Sequence, residues 1–260
     1  PGAPQGSAAP AREPAHRPGR DDAARLGRYP PGVQTVIRPA RRPIRASLAL
    51  VAVLALALPF ALHAGGLGWA GLVRDLWPDS RFDPPDTPLS AAIFAHMLAG
   101  ALITLLAPLQ LLPAPRARAP ALHRWAGRLL VAAALVTALG GLAWIAGQGT
   151  VGGLPMSAGF ALYGALMALA ACQTLRFARA RAWARHRAWA LRLVVLALAS
   201  WLYRVHYTLW YAATGGAASN AAFTGAFDRV QVLAFFLPYL LALELWLRRD
   251  RRRALRAAGG

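Results

Sequence analysis

Apolar residues run through this chain in long unbroken blocks, separated by short clusters of arginine, proline, glycine and aspartate. A helix that crosses a membrane needs about 20 predominantly apolar residues, because the hydrocarbon core is roughly 30 Å thick and each residue rises about 1.5 Å. Six blocks reach that length, at 46–67, 89–112, 125–146, 157–177, 189–213 and 230–247. None alternates with the period of two that a membrane β-barrel strand requires. The pattern therefore predicts an all-α, polytopic membrane protein built as a bundle of six transmembrane helices.

Composition strengthens this picture. The 260 residues are 57% hydrophobic and 15% charged. A soluble domain carries about 25% charged residues, so this chain has too little polar surface to cover a water-facing globule. The net charge of +19 would ordinarily raise nucleic acid as a partner, so the positions of the charges decide. There is no lysine, and the 29 arginines lie mostly between the blocks. Nine precede the first block, four fall at 116–128, six at 176–192 and six at 248–256. The other connections hold only Arg74, Arg81 and Arg229, beside Asp75, Asp79, Asp83, Asp86 and Asp228. Basic residues are retained on the cytoplasmic side, so both termini are expected inside, N-in/C-in, in a cytoplasmic membrane. Topology thus accounts for the charge and argues against nucleic acid. The expected partners are the lipid bilayer, anionic lipid head groups along the cytoplasmic rim, and a membrane-protein partner or a second copy of the chain.

Residues 1–45, rich in Pro, Ala, Gly and Arg, read as a disordered basic cytoplasmic tail, 46–248 as the six-helix domain and 249–260 as a second basic tail. Met97 is the first methionine, so the chain is expected to begin short of its start. The Pro- and Asp-rich stretch 68–87 reads as a short ordered cap. Cys172 stands alone, which excludes an intrachain disulfide framework and multi-cysteine zinc sites. Gly100, Gly140, Gly141, Gly159 and Gly164 suit close helix approach.

Polar side chains inside lipid are costly, and each is a functional candidate. His96 and Gln110 are 14 residues apart on the second span, and Arg192 and His206 are 14 apart on the fifth. Such pairs lie within about 40° of one line on a helix. If the second and fifth spans are neighbours, His96 and His206 meet at one depth, while Gln110 meets Arg192 at another. Two histidines at matched depth form the ligand set of a bis-imidazole haem b, with His96 and His206 as the iron ligands. The plainer reading is hydrogen bonding between helices. A second haem on His123 and His186 is disfavoured, because His186 and His206 lie about 200° apart on one helix.

Arg128, Arg192 and Glu244 sit near the basic ends of their helices. A carboxylate partner for one arginine is the plain expectation, and an anion or lipid head-group pocket the functional one. Arg204 is expected to reach outward toward Asp228. Trp201, Tyr203, Tyr207, Trp210 and Tyr211 read as an interfacial aromatic belt.

Three words occur in order: FAHMLAGALITLLAPLQLLP, RARAPALHRWAGRLL and RARAWARHRAWALRL. Together they resemble a bacterial family of multi-pass membrane proteins known as domain of unknown function twenty-three-oh-six. The resemblance rests on His96, Gly100, Pro108 and Gln110; on His123, Arg124, Gly127 and Arg128; on His186, Arg187, Trp189 and Arg192; and on Pro238 with Glu244. Arg204 belongs to that pattern, whereas His206 does not, and Tyr239 stands where an asparagine is expected. The resemblance implies a topology and no activity. Three functions stay open: a b-type haem electron-transfer module on His96 and His206; a non-enzymatic carrier or lipid-interacting protein; and a structural or assembly subunit of a membrane complex. The carrier's polar cavity or inner cluster would draw on Gln110, His123, Arg124, Arg128, His186, Arg187, Arg192, Arg204 and Glu244.

Overall fold

The computed structural model describes residues 44–73, 88–112 and 118–258. The helices are α1 (Ile44–Val73), α2 (Pro88–Leu111), α3 (Pro120–Gln148), α4 (Gly153–Arg179), α5 (Trp183–Thr214), α6 (Ala226–Ala234) and α7 (Leu237–Ala258). Six stretches are long and apolar enough to cross a membrane, α6 and α7 together making the sixth.

Several helices outrun their apolar blocks. α5 starts at Trp183 and α3 at Pro120, so His186, Arg187, His123 and Arg124 are all helical. Arginine and alanine are good helix formers, and backbone pairing does not stop where lipid does. Pro120 suits a first helical turn, where its missing N–H is no loss. For the same reason α7 continues to Ala258, through the segment read as a basic tail. The tail reading of 1–43 and the part of the expected cap at 74–87 lie outside the described residues, and Gly68–Val73 of that cap belong to α1.

The sixth span is interrupted. Pro238 has no N–H to offer the Ala234 carbonyl, and the chain turns through Phe235 and Phe236 between α6 and α7. Both phenylalanines are fully buried and fill the space this break creates.

Helices α2, α3, α4 and α5 form a closed ring, with α2 returning to pack on α5. The short α3–α4 and α4–α5 connections make those neighbours antiparallel. α1 lies outside the ring on α2, and α6 lies against α4. Lipid tails are as apolar as leucine, so burial alone does not hold such helices together, and close backbone approach takes over. The ring's core shows this in Ala99, Ala107, Ala134, Ala138, Ala170, Ala171, Ala197 and Ala199. A hydrogen bond crosses it where the Tyr163 hydroxyl donates to the Leu196 carbonyl at 2.7 Å.

Candidate functional site

At the arginine-rich end, most polar side chains are spent on joining helices. Arg192 of α5 grips Glu244 of α7 with two bonds, Nε to Oε1 at 2.5 Å and Nη2 to Oε2 at 2.9 Å, and its guanidinium lies 4.5 Å from the Trp189 ring. One turn nearer the end, Arg187 donates to Asp250 at 3.0 Å and covers Trp246. Arg128 lies 4.8 Å over Trp125 of its own helix, so Glu244 goes to Arg192 alone of the two arginines. His186 of α5 gives its Nδ1 proton to the Thr174 carbonyl of α4 at 3.0 Å. Half-buried His123 and exposed Arg124 occupy the first turn of α3. Gln110 lies against α3, its Oε1 3.6 Å from where a Cβ on Gly127 would stand. The Gln173 Oε1 of α4 is buried and has no hydrogen-bond partner among the described residues.

Nearer the other end, the two histidines read as haem ligands are held by different neighbours. His96 gives its Nδ1 proton to the Thr137 carbonyl of α3 at 2.5 Å. The Nδ1–Cε1 edge of its ring abuts Gly141, where a Cβ would stand 2.9 Å from Nδ1, so glycine suits this approach. His206 uses both ring nitrogens. Gln231 Nε2 donates to its Nδ1 at 2.9 Å, which leaves its Nε2 proton for the Tyr239 oxygen at 2.7 Å. α2 and α5 are packed neighbours, with His96 turned to α3 and His206 to α6 and α7. Among the described residues, no three His, Cys, Asp or Glu side chains gather as a metal site.

Asp228 is buried and accepts from the Tyr207 hydroxyl at 2.8 Å, the Ser219 hydroxyl at 2.7 Å, the Gly225 N–H at 3.0 Å and the Asn220 N–H at 3.2 Å. It thereby folds the connection between α5 and α6. Tyr203 and Tyr207, expected in an interfacial belt, instead pack inward. Tyr203 meets Phe160 and Phe235 edge-on, and Tyr207 meets Phe227. Edge-to-face packing of this kind adds attraction beyond burial.

With Asp228 enclosed by these donors, Arg204 does not reach outward to it as the sequence led us to expect. Its Nη1 turns back one turn to the Ser200 carbonyl at 2.9 Å and the Ser200 Oγ at 3.1 Å. The guanidinium carbon stands 4.4 Å from the ring of Phe60 on α1. The Thr104 hydroxyl, whose proton goes to the Gly100 carbonyl at 2.8 Å, stands 3.5 Å from the Ala197 carbonyl and so marks the level of α5 on α2. Ser200 lies about 4.5 Å further along α5. Arg204's anchor is therefore about 20 Å from one end of α2 and about 15 Å from the other, near the middle of a spanning helix. Ser200 and Phe60 escaped the sequence reading, since neither is charged; a serine one turn before an intramembrane arginine was the available signal.

All three described carboxylates are engaged elsewhere: Asp228 as above, Glu244 by Arg192 and Asp250 by Arg187. No ion pair forms at Arg204 among the described residues. A separate cavity of about 120 Å³, lined by Gly152, Met156, Phe223, Thr224, Arg229 and neighbours, lies where α4 and α6 begin.

Six spans long enough for a bilayer, cross-linked by polar side chains and presenting apolar residues outward, define a polytopic α-helical membrane protein. The chain belongs to the family described as "Predicted membrane protein (DUF2306)", whose model matches residues 93–247. That match runs from α2 to α7 and takes in His96, Ser200, Arg204 and Glu244; α1 with Phe60 precedes it. No curated protein and no solved structure matches the chain.

Proposed function

We propose that the protein is a non-enzymatic, lipid-interacting binder and carrier of an anionic ligand taken from the membrane, oriented with its arginine-rich end in the cytoplasm. One observation carries this reading: an exposed Arg204 half-way along the spans, without a carboxylate among the described residues. A cation in lipid is costly, and persists where it has work to do. Arg192 and Arg187 have acids of their own and act as struts, so the free attraction for an anion lies at Arg204. Binding of dodecyl phosphate and of dodecanoate to the full chain in a neutral detergent tests this. Saturable binding of at least one is expected, weakened at least about tenfold in Arg204→Ala and kept in Arg229→Ala. No saturable binding of either, or binding that ignores Arg204→Ala, overturns it.

A second reading, a b-type haem redox module on His96 and His206, has the packing of α2 against α5 in its support. His96 adds to it, because a ring whose Nδ1 proton is given to a carbonyl offers Nε2 in the way ligating imidazoles do. His206 would exchange its Tyr239 bond for iron. An absorption band in the haem α region of the reduced protein, lost in both His96→Ala and His206→Ala, is the expected signature. A spectrum with no such band after haem is supplied during expression removes this reading.

A further inference from the structure

The Arg204 site has a second half that identifies its ligand. Hydroxyl groups in these helices commonly bond back to the carbonyl one turn earlier: Thr104 to Gly100, Thr137 to Ala133, Thr174 to Ala170, and Thr208 to Arg204. For Ser200 that carbonyl belongs to Leu196, which instead accepts from Tyr163 of α4 at 2.7 Å. The Ser200 oxygen accepts from Arg204, and its proton has no acceptor among the described residues. Arg204 uses Nη1 on Ser200 and keeps its Nε–H and both Nη2 protons. The site therefore presents N–H and O–H donors side by side, while its acceptors, the Ser200 carbonyl and Oγ, already receive the Nη1 protons. That is the chemistry of an oxyanion, and a tetrahedral one can meet the planar fork and the hydroxyl together.

Position narrows the source. α1 and α5 both pack on α2, and Arg204 reaches from one to the other to lie against Phe60. Arg204 is exposed as a residue on the bundle's flank, midway along the spans, where a hydrated free ion does not arrive. A ligand carrying its own hydrocarbon does. The side chain of Leu56, one turn from Phe60 on the same side of α1, is also exposed, at 68%, and gives an acyl chain a surface to follow.

We infer that Ser200 and Arg204, walled by Phe60, bind the phosphate of a membrane phospholipid that enters sideways between α1 and α5. This rests on the anion-binding reading above and adds the phosphate, the lipid source and the route. The test reconstitutes the full chain in phosphatidylcholine vesicles with a minor share of phosphatidic acid bearing a diazirine on its acyl chain. Photolysis is expected to label α1 around Phe60 and the facing side of α5. Labelling falls at least about tenfold in Arg204→Ala and about fivefold in Ser200→Ala, the loss of one charge-assisted hydrogen bond, with Arg204→Lys intermediate. Excess inorganic phosphate leaves it unchanged. Labelling indifferent to both variants, or abolished by inorganic phosphate, overturns the proposal. If dodecanoate binds through Arg204 while phosphatidic acid is not labelled there, the anion site stands and the phospholipid falls. If neither binds, both fall.

Discussion

At the scale of single residues, the ion pairs divide by how far they are withdrawn from water. The Arg192 and Glu244 side chains keep 22% and 34% of their surface and bond in two places, whereas Arg187 and Asp250 keep 47% and 49% and bond once. Removing one member of the better-shielded pair strands a charge. Glu244→Gln is expected to lower stability by about 1–3 kcal/mol, seen as a lower Tm in detergent, while Asp250→Asn changes it by less than about 1 kcal/mol. Replacing Arg192 and Glu244 together by Met and Leu should recover most of the loss, because no stranded charge remains. The sequence narrowed Glu244's partner to Arg192 or Arg128, and helix phase could not choose. The choice depends on how α3 and α5 rotate about their axes, which packing fixes. Arg204 was legible as an anomaly, yet its direction was not, because the competing claims on Asp228 come from a loop whose fold no periodicity records.

Individual helices were legible where lipid sets their length. All six spans appear in order, and their centres agree with the apolar blocks. Their ends do not, because hydropathy marks the lipid boundary and hydrogen bonding marks the helix. Pro238 signalled a break that an apolar count overlooks. Contacts between helices depend on small residues in a way that is easily tested. Gly141→Ala puts a methyl 2.9 Å from the His96 ring, with the Thr137 bond holding that ring in place. We expect a loss of about 1–3 kcal/mol in thermal unfolding, and most of it should disappear in a His96→Ala background. An unchanged Tm for Gly141→Ala would mean that α3 yields at this point.

At the largest scale, the described residues make a four-helix ring with α1 packed on α2, α6 against α4, and Phe235 and Phe236 of the broken sixth span in the core. Charge bias predicts its orientation: in a Cys172→Ala background, a membrane-impermeant thiol reagent added to intact cells should label Ser219→Cys and spare Arg251→Cys. The reverse pattern would invert the protein. Which spans become neighbours was beyond the sequence, since six apolar rods are nearly interchangeable until alanine-lined faces meet. The closure of α2 on α5 is the fact that brings α1, α2 and α5 together around Arg204.

The turn at Phe235 and Phe236 separates two different anchorages. α6 is tied through Asp228 to the loop after α5, and α7 through Glu244 and Asp250 to arginines of α5. A continuous rod would carry torque from one aqueous face to the other. This one is broken between the 9-residue α6 and the 22-residue α7, and each piece is fastened to its own partners on either side of the buried Phe235 and Phe236.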